Sequence, residues 1–389
     1  MSDYNRRYVF AAACVGNFIF GIVLTVLGTI LPSFMARFSV DKTLAGSSLT
    51  MLSVGILLGS LAFGPVADRH GFKGLLLASS SIIAGGLVAM AWAPSYGLFI
   101  AAVGVVGCGG GVINGATNAL VSDISWRSRS ADLSVLGIFF GIGAFGIPLV
   151  LGLLLDRFSY ALLTASVAIP VLMTTALFAL VRFPAPKQPG GLPIARSAEM
   201  LRCPAILVLG AMLFLQSGIE ITTGGWTTTF FQEELGASPG AAAFGLSLFW
   251  MGMTAARLVL ARILAQWAPP RVLLSFIGVA VLGALVVLTS DSVAVAYAGI
   301  FAIGAGLATG FPVILGYAGD LYPRSSGTVF SLLFVMAMTG GSILPFAAGA
   351  VGSAAGLRYA LLVTPASLVA MTALLPLALR ALRRARSEL

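Results

Sequence analysis

Long apolar runs recur along this chain, separated by gaps of a few residues, and no other feature restricts its fold as strongly. Crossing a hydrocarbon core of ~30 Å takes roughly 20 helical residues. The runs fall at 8–35, 44–66, 74–93, 97–121, 133–155, 159–182, 205–230, 242–266, 271–290, 294–318, 328–350 and 357–380. Hydrophobic residues make up 59% of the 389 positions and charged ones 9%, where a soluble domain carries about 25% charged residues. A soluble core cannot hide that much apolar surface, so lipid is the solvent. The predicted fold class is an all-α membrane protein of twelve transmembrane helices. The first run follows Arg6 and Arg7 and is too long for a signal-peptide core, so it is read as a span that stays.

One gap is longer than the rest. Residues 183–204 contain Pro184, Pro186, Lys187, Pro189, Gly190, Gly191, Pro193 and Arg196, the composition of a polar linker, with room for a short surface helix. It divides the chain into two predicted six-helix bundles, 1–182 and 205–389. With the N-terminus inside, the outer gaps hold Arg37, Lys42, Arg157 and Arg358, and Arg257 lies within a span. All other Lys and Arg fall on the inner side. That asymmetry predicts cytoplasmic termini. A multi-pass protein of a bacterial inner membrane is the expected setting, and the chain has no Asn-x-Ser/Thr sequon.

The net charge of +9 forms no continuous stripe, so it orients the chain in a bilayer and predicts no nucleic-acid partner. Cys14, Cys108 and Cys203 are scattered, without metal or disulfide spacing. His70 is the single histidine, and no nucleophile–base pair or Walker A pattern occurs. Neither an enzyme nor a cofactor is expected, and a monomer is.

The two halves repeat. An offset of 197 residues aligns Gly21 with Gly218, Gly55 with Gly252, Gly107 with Gly304 and Gly109 with Gly306. It also aligns Asp123 with Asp320, Arg127 with Arg324, Gly143 with Gly340, Pro148 with Pro345 and Gly152 with Gly349. The Asp-x-x-x-Arg pair and the fifth-span proline carry more weight than glycines, which number 47. Parallel six-helix repeats imply a pseudo-twofold axis along the membrane normal, with a site between the halves near mid-membrane. For the glycines, including Gly55-xxx-Gly59 and Gly306-xxx-Gly310, close helix packing is the expected role. Pro148 and Pro345 are expected to bend their spans.

The loop after the second span reads Gly64-Pro-Val-Ala-Asp68-Arg69-His70-Gly71-Phe72-Lys73. On this motif, the twelve spans and the central linker, the chain resembles the major facilitator superfamily over essentially its whole length. Phe72 departs, standing where the family has a basic residue. The second half's counterpart, Gly252 to Arg257 and Ala261 to Gln266, has no acid. Asp68, Asp123 and Asp320 fall at inner helix ends beside Arg69, Arg127 and Arg324, with Lys73 nearby. Such pairs can latch the halves in one state and break in the other, as equivalent residues do in similar transporters. Simple interfacial anchoring is the other reading.

Glu220 is the one acidic residue placed inside a span. A charge at membrane depth costs at least ~2.5 kcal/mol and usually faces a cavity. Gln216, Glu220, Thr223 and Thr227 share a helical face, followed by Gly224 and Gly225, where the helix could bend or break, and by Trp226. This suits ion coupling or direct contact with a polar solute; a structural pairing with Arg257 is the alternative. Gly218-Ile-Glu220-Ile-Thr-Thr-Gly224-Gly-Trp226, with Asn114, Asn118 and Asp123, is similar to the fucose/glucose branch of the superfamily. Asn17 and Asn114 stand where fucose/proton symporters carry acids, so their proton relay does not carry over. Asn suits hydroxyl-rich ligands and interhelical hydrogen bonds equally. Trp250, on a face with Thr254 and Arg257, could stack on a ring or simply pack. Tyr317 is a further candidate.

The resulting expectation is a secondary active transporter working by alternating access. It would move a sugar or related polyol, coupled to a proton or sodium ion, with Glu220 and Arg257 in the coupling. Export of amphipathic compounds against adaptable methionines (Met251, Met253, Met336, Met338) is a second reading. The 97–121 span lacks the arginine common in proton-dependent drug exporters, and their fifth-span signature survives only as Gly146-Ile-Pro148-Leu-Val-Leu-Gly152. A membrane sensor that does not transport is a third reading.

Overall fold

The structure, a computed structural model, describes residues 4–125, 129–155, 157–184, 203–321 and 326–388. Most of the expected linker lies outside the described residues. The regular elements are helices: α1 (Arg6–Phe38), α2 (Lys42–His70), α3 (Phe72–Trp92), α4 (Tyr96–Ile124), α5 (Arg129–Leu154), α6 (Tyr160–Ser166 and Ala168–Leu180), α7 (Pro204–Glu233), α8 (Pro239–Gln266), α9 (Pro269–Thr289), α10 (Val293–Leu307 and Gly310–Leu321), α11 (Ser326–Ala355) and α12 (Leu357–Ala360 and Val363–Glu388). All 12 are long and apolar enough to cross a membrane. Side chains such as Leu153, Met173 and Leu180 stay largely exposed, as lipid-facing positions should.

Helix starts follow local chemistry. Arg7 N–H donates to Asn5 Oδ1 at 3.0 Å, and Leu162 N–H to Ser159 Oγ at 3.3 Å, satisfying amides that have no intrahelical acceptor. Helices α7 and α9 open on proline, whose missing N–H costs nothing there.

Three expected spans are interrupted, and a proline accounts for each. The proline ring clashes with the carbonyl four residues earlier, and its nitrogen donates no hydrogen bond. Pro170, Pro312 and Pro365 follow Ser166, Ala308 and Leu361 by that distance, and α6, α10 and α12 break there. Helices α5 and α11 continue past Pro148 and Pro345. The Gly224-Gly225 pair, where the helix could bend or break, lies inside an unbroken α7.

By packing, the described chain forms two units. The first contains α1, α2 from Met51, α3 to α6, and Ser238–Ser247; the second contains Asp41–Thr50, α7, α8 from Leu248, and α9 to α12. This differs from a division into contiguous halves: the first turns of α2 and α8 each belong with the other half's helices. The two exchanged segments are themselves 197 residues apart. In the second unit, Thr50 Oγ1 donates to the Ser342 carbonyl at 2.6 Å, and Gly46 lies against the Pro345 carbonyl, 3.1 Å from where a Cβ would be. In the first, Ala243 covers Gly152, its methyl 2.7 Å from where a Cβ would be.

Within the first unit α1 packs on α5 and α4, and α3 on α4 and α6; within the second, α7 packs on α11 and α12, and α9 on α10. The repeat is realised as matching crossings. A Cβ on Gly55 would strike the Gly104 carbonyl, and one on Gly252 the Phe301 carbonyl, 197 residues on. Gly107 lies against the Leu52 carbonyl as Gly304 lies against that of Phe249. Gly109 lies against the Ser79 carbonyl as Gly306 lies against that of Phe276. Each of these glycines lets two backbones touch, the packing role expected of small residues between membrane helices.

Candidate functional site

In the second unit, α7 carries a buried polar pair one turn apart. Gln216 Nε2 donates to Glu220 Oε1 at 2.6 Å and to the Leu307 carbonyl of α10 at 2.9 Å. That carbonyl closes the first piece of α10, just before the break that Pro312 imposes. The amide of Gln216 fills the space where a side chain at position 310 would project, so any Cβ at Gly310 would push that amide aside. Broken helix, glycine and amide thus form one device, and it fixes the buried Glu220 carboxylate.

From α8, Arg257 lies within electrostatic reach of Glu220. Its Nε is buried and has no hydrogen-bond partner. Further along the same stripe of α8, Thr254 Oγ1 donates to the Trp250 carbonyl at 2.8 Å. The Trp250 ring meets Phe249 edge-on at 5.0 Å, and its edge is 3.4 Å from where a Cβ on Gly224 would be. Thus α7 and α8 meet through Gly224 and Trp250.

Other candidates on α7 look elsewhere. Thr223 Oγ1 pairs with Thr364 Oγ1 of α12 at 3.3 Å, in a small pocket with Ala284, Val287 and Ile300. Thr227 Oγ1 donates back to the Thr223 carbonyl at 2.6 Å. Trp226 is fully buried and its indole N–H donates to the Pro345 carbonyl at 3.1 Å, bracing α7 against α11. Tyr317 is half-buried on the second piece of α10. Thr309 Oγ1, at the α10 break, is buried without a hydrogen-bond partner.

In the first unit the polar span residues are neutral. Asn17 Nδ2 donates to the Leu136 carbonyl of α5 at 2.8 Å, while its Oδ1 is buried without a partner. Asn118 Nδ2 donates to the Asn114 carbonyl at 2.8 Å and to Asn114 Oδ1 at 3.0 Å. Both are half-buried.

Of the expected latch residues, Asp123 and Asp320 are exposed, and Lys73 Nζ donates to the Ala179 carbonyl at 2.7 Å. Arg127 and Arg324, and the side chains of Asp68 and Arg69, lie outside the described residues. A cluster the sequence reading missed lies at that end of the first unit. Arg6 pairs with Asp132 at 2.8 Å and donates to the Ile124 carbonyl at 2.8 Å, and Ser125 Oγ donates to Asp132 at 2.7 Å. At the opposite helix ends of the second unit, Lys42 pairs with Glu233 at 2.8 Å and Arg358 with Asp291 at 2.7 Å; Leu357 N–H donates to Glu234 at 3.1 Å. In the first unit the corresponding end is capped by Arg37, which donates to the Ala91 and Ala93 carbonyls at 3.0 and 2.9 Å and to the Tyr160 hydroxyl.

The sequence profile of the Major Facilitator Superfamily matches residues 13–293 and 208–389. An uncharacterized transporter of that type, YfkL of Bacillus subtilis, is 23% identical over 356 residues, covering 89% of each chain. A glucose transport protein of Synechocystis is 33% identical over 149 residues, 36% of this chain and 31% of its own length. Among solved structures, a D-xylose-proton symporter superposes with a TM-score of 0.79 at 14% identity, covering 94% of this chain and 97% of that one.

Proposed function

Because the chain belongs to the Major Facilitator Superfamily and is a multi-pass membrane transporter, we propose that it is a secondary active transporter of a small hydroxylated solute, a sugar or related polyol. It works by alternating access, coupled to a proton or sodium ion. The observation that carries this reading is the Gln216–Glu220–Leu307 arrangement with Arg257 beside it. An ionisable pair inside apolar helices is expensive, and membrane proteins keep such pairs mainly where they move ions or bind solute. The share of sequence with a glucose transport protein supports the solute class. The distribution of Lys and Arg supports cytoplasmic termini in a bacterial inner membrane.

The test uses the full chain in proteoliposomes, with counterflow and gradient-driven uptake measured for a panel of labelled sugars. Glu220→Gln should retain counterflow, which needs binding and reorientation alone, and lose gradient-driven uptake. Intact driven uptake in that variant overturns the coupling role of Glu220.

A further inference from the structure

We infer that the transported solute carries a carboxylate and that Arg257 receives it, an inference resting on the transport reading above. Arg257 is the basic residue that the sequence places deepest within an apolar span. Were it there only to neutralise Glu220, contact would be favoured, because attraction in a low-dielectric interior rises steeply as charges approach. The structure shows another arrangement. The Glu220 carboxylate takes its hydrogen bond from Gln216, at 2.6 Å. Arg6, Lys42 and Arg358 each meet an acid within 4.0 Å, whereas Arg257 makes no such ion pair among the described residues.

What remains is a half-buried arginine whose Nε–H is buried and uncommitted. Nε–H and the adjacent Nη–H form the fork that takes both oxygens of a carboxylate, a geometry that a single sugar hydroxyl does not fill. Thr254 and Trp250 continue the same stripe of α8 at i−3 and i−7, a half-buried hydroxyl-bearing side chain and a buried indole packed on Phe249. A polyhydroxylated acid, such as an aldonate or uronate, matches this sequence of groups better than a neutral sugar.

The charge balance points the same way. Glu220 and Arg257 together are neutral. An incoming carboxylate leaves one excess negative charge inside the membrane spans, which is costly unless a monovalent cation enters with it. Solute charge and ion coupling then have one physical origin.

The experiment is counterflow in proteoliposomes with paired probes, D-gluconate and D-glucuronate against D-glucose and D-xylose, in wild type, Arg257→Lys and Arg257→Gln. Wild type should exchange the acids at least about tenfold faster than the neutral sugars. Arg257→Gln should lower acid exchange about 100-fold, and Arg257→Lys should retain part of it, as expected when charge is kept and the fork lost. The comparison within wild type stands even if a variant fails to fold. Exchange of the neutral sugars at a rate equal to or above the acids overturns this inference and leaves the transport reading standing. Exchange of neither class overturns both.

Discussion

The two halves share their helix crossings and differ in what they place at mid-helix. At the 197-residue offset, Gly107 and Gly304 press on equivalent carbonyls, as do Gly109 and Gly306. The polar residues do the opposite. Gln216, Glu220 and Arg257 correspond to Ile19, Val23 and Ser60, while Asn17, Asn114 and Asn118 correspond to Phe214, Phe311 and Leu315. Pro312, which breaks α10, corresponds to Gly115, and α4 runs unbroken past it. The reason lies in where each residue sits. A backbone-to-backbone crossing leaves no space for even one methyl group, so glycine has no substitute there. A side chain facing its neighbours' side chains can change if those neighbours change with it, so chemistry diverged on a repeated scaffold.

This contrast can be broken in four ways. The largest effect is expected at Glu220. Glu220→Gln should reduce gradient-driven uptake about 100-fold, equivalent to ~2.7 kcal/mol, whereas Asn114→Ala should change it less than about threefold. Comparable losses in both would mean that the halves share the coupling chemistry. Next come the crossings. Gly107→Ala and Gly304→Ala should each destabilise by ~1–3 kcal/mol through overpacking, read as similar drops in thermal midpoint in detergent. A harmless alanine at either position would show that its crossing is looser than its twin. Gln216→Ala strands the buried Leu307 carbonyl and should cost ~1–3 kcal/mol. Asn17→Ala removes one bond and should cost about 1 kcal/mol, measured in the same melts; the reverse order would shift the critical polar contact to the first half. The smallest effect is at the helix ends. Lys42→Ala should cost ~0–1 kcal/mol and less at high salt, since Lys42 and Glu233 are both partly solvated. Exchanging their charges together should restore what either single reversal removes.

Much of the architecture was legible because it depends on periodic, local properties. Twelve apolar stretches must become helices in lipid, where backbone groups have no other partner. The offset between halves was visible in glycines whose role is steric and therefore unforgiving. Interruptions at Pro170, Pro312 and Pro365 could have been read from the same rule that governs any helical proline, but so could breaks at Pro148 and Pro345, where the helices continue. Which proline breaks its helix depends on how neighbouring helices support the freed groups. The exchange of Asp41–Thr50 and Ser238–Ser247 between units had no local signal at all.

The sequence by itself determined that this chain is a two-fold repeated bundle of membrane helices with one acid and one base at unusual depth. Hydrophobicity, length and glycine spacing act residue by residue and survive without knowing any partner. The tertiary structure alone decided which members of the α7 stripe work together. Gln216 turns to α10 and holds Glu220, Thr223 turns to α12 and Trp226 to α11. Residues 216–231 of α7 are buried throughout and so have neighbours on every side, and sharing a face in sequence does not mean sharing a site. The partner that fixes Glu220's arrangement is a backbone carbonyl, identical at every residue in the sequence and distinguished only by where a distant helix happens to break.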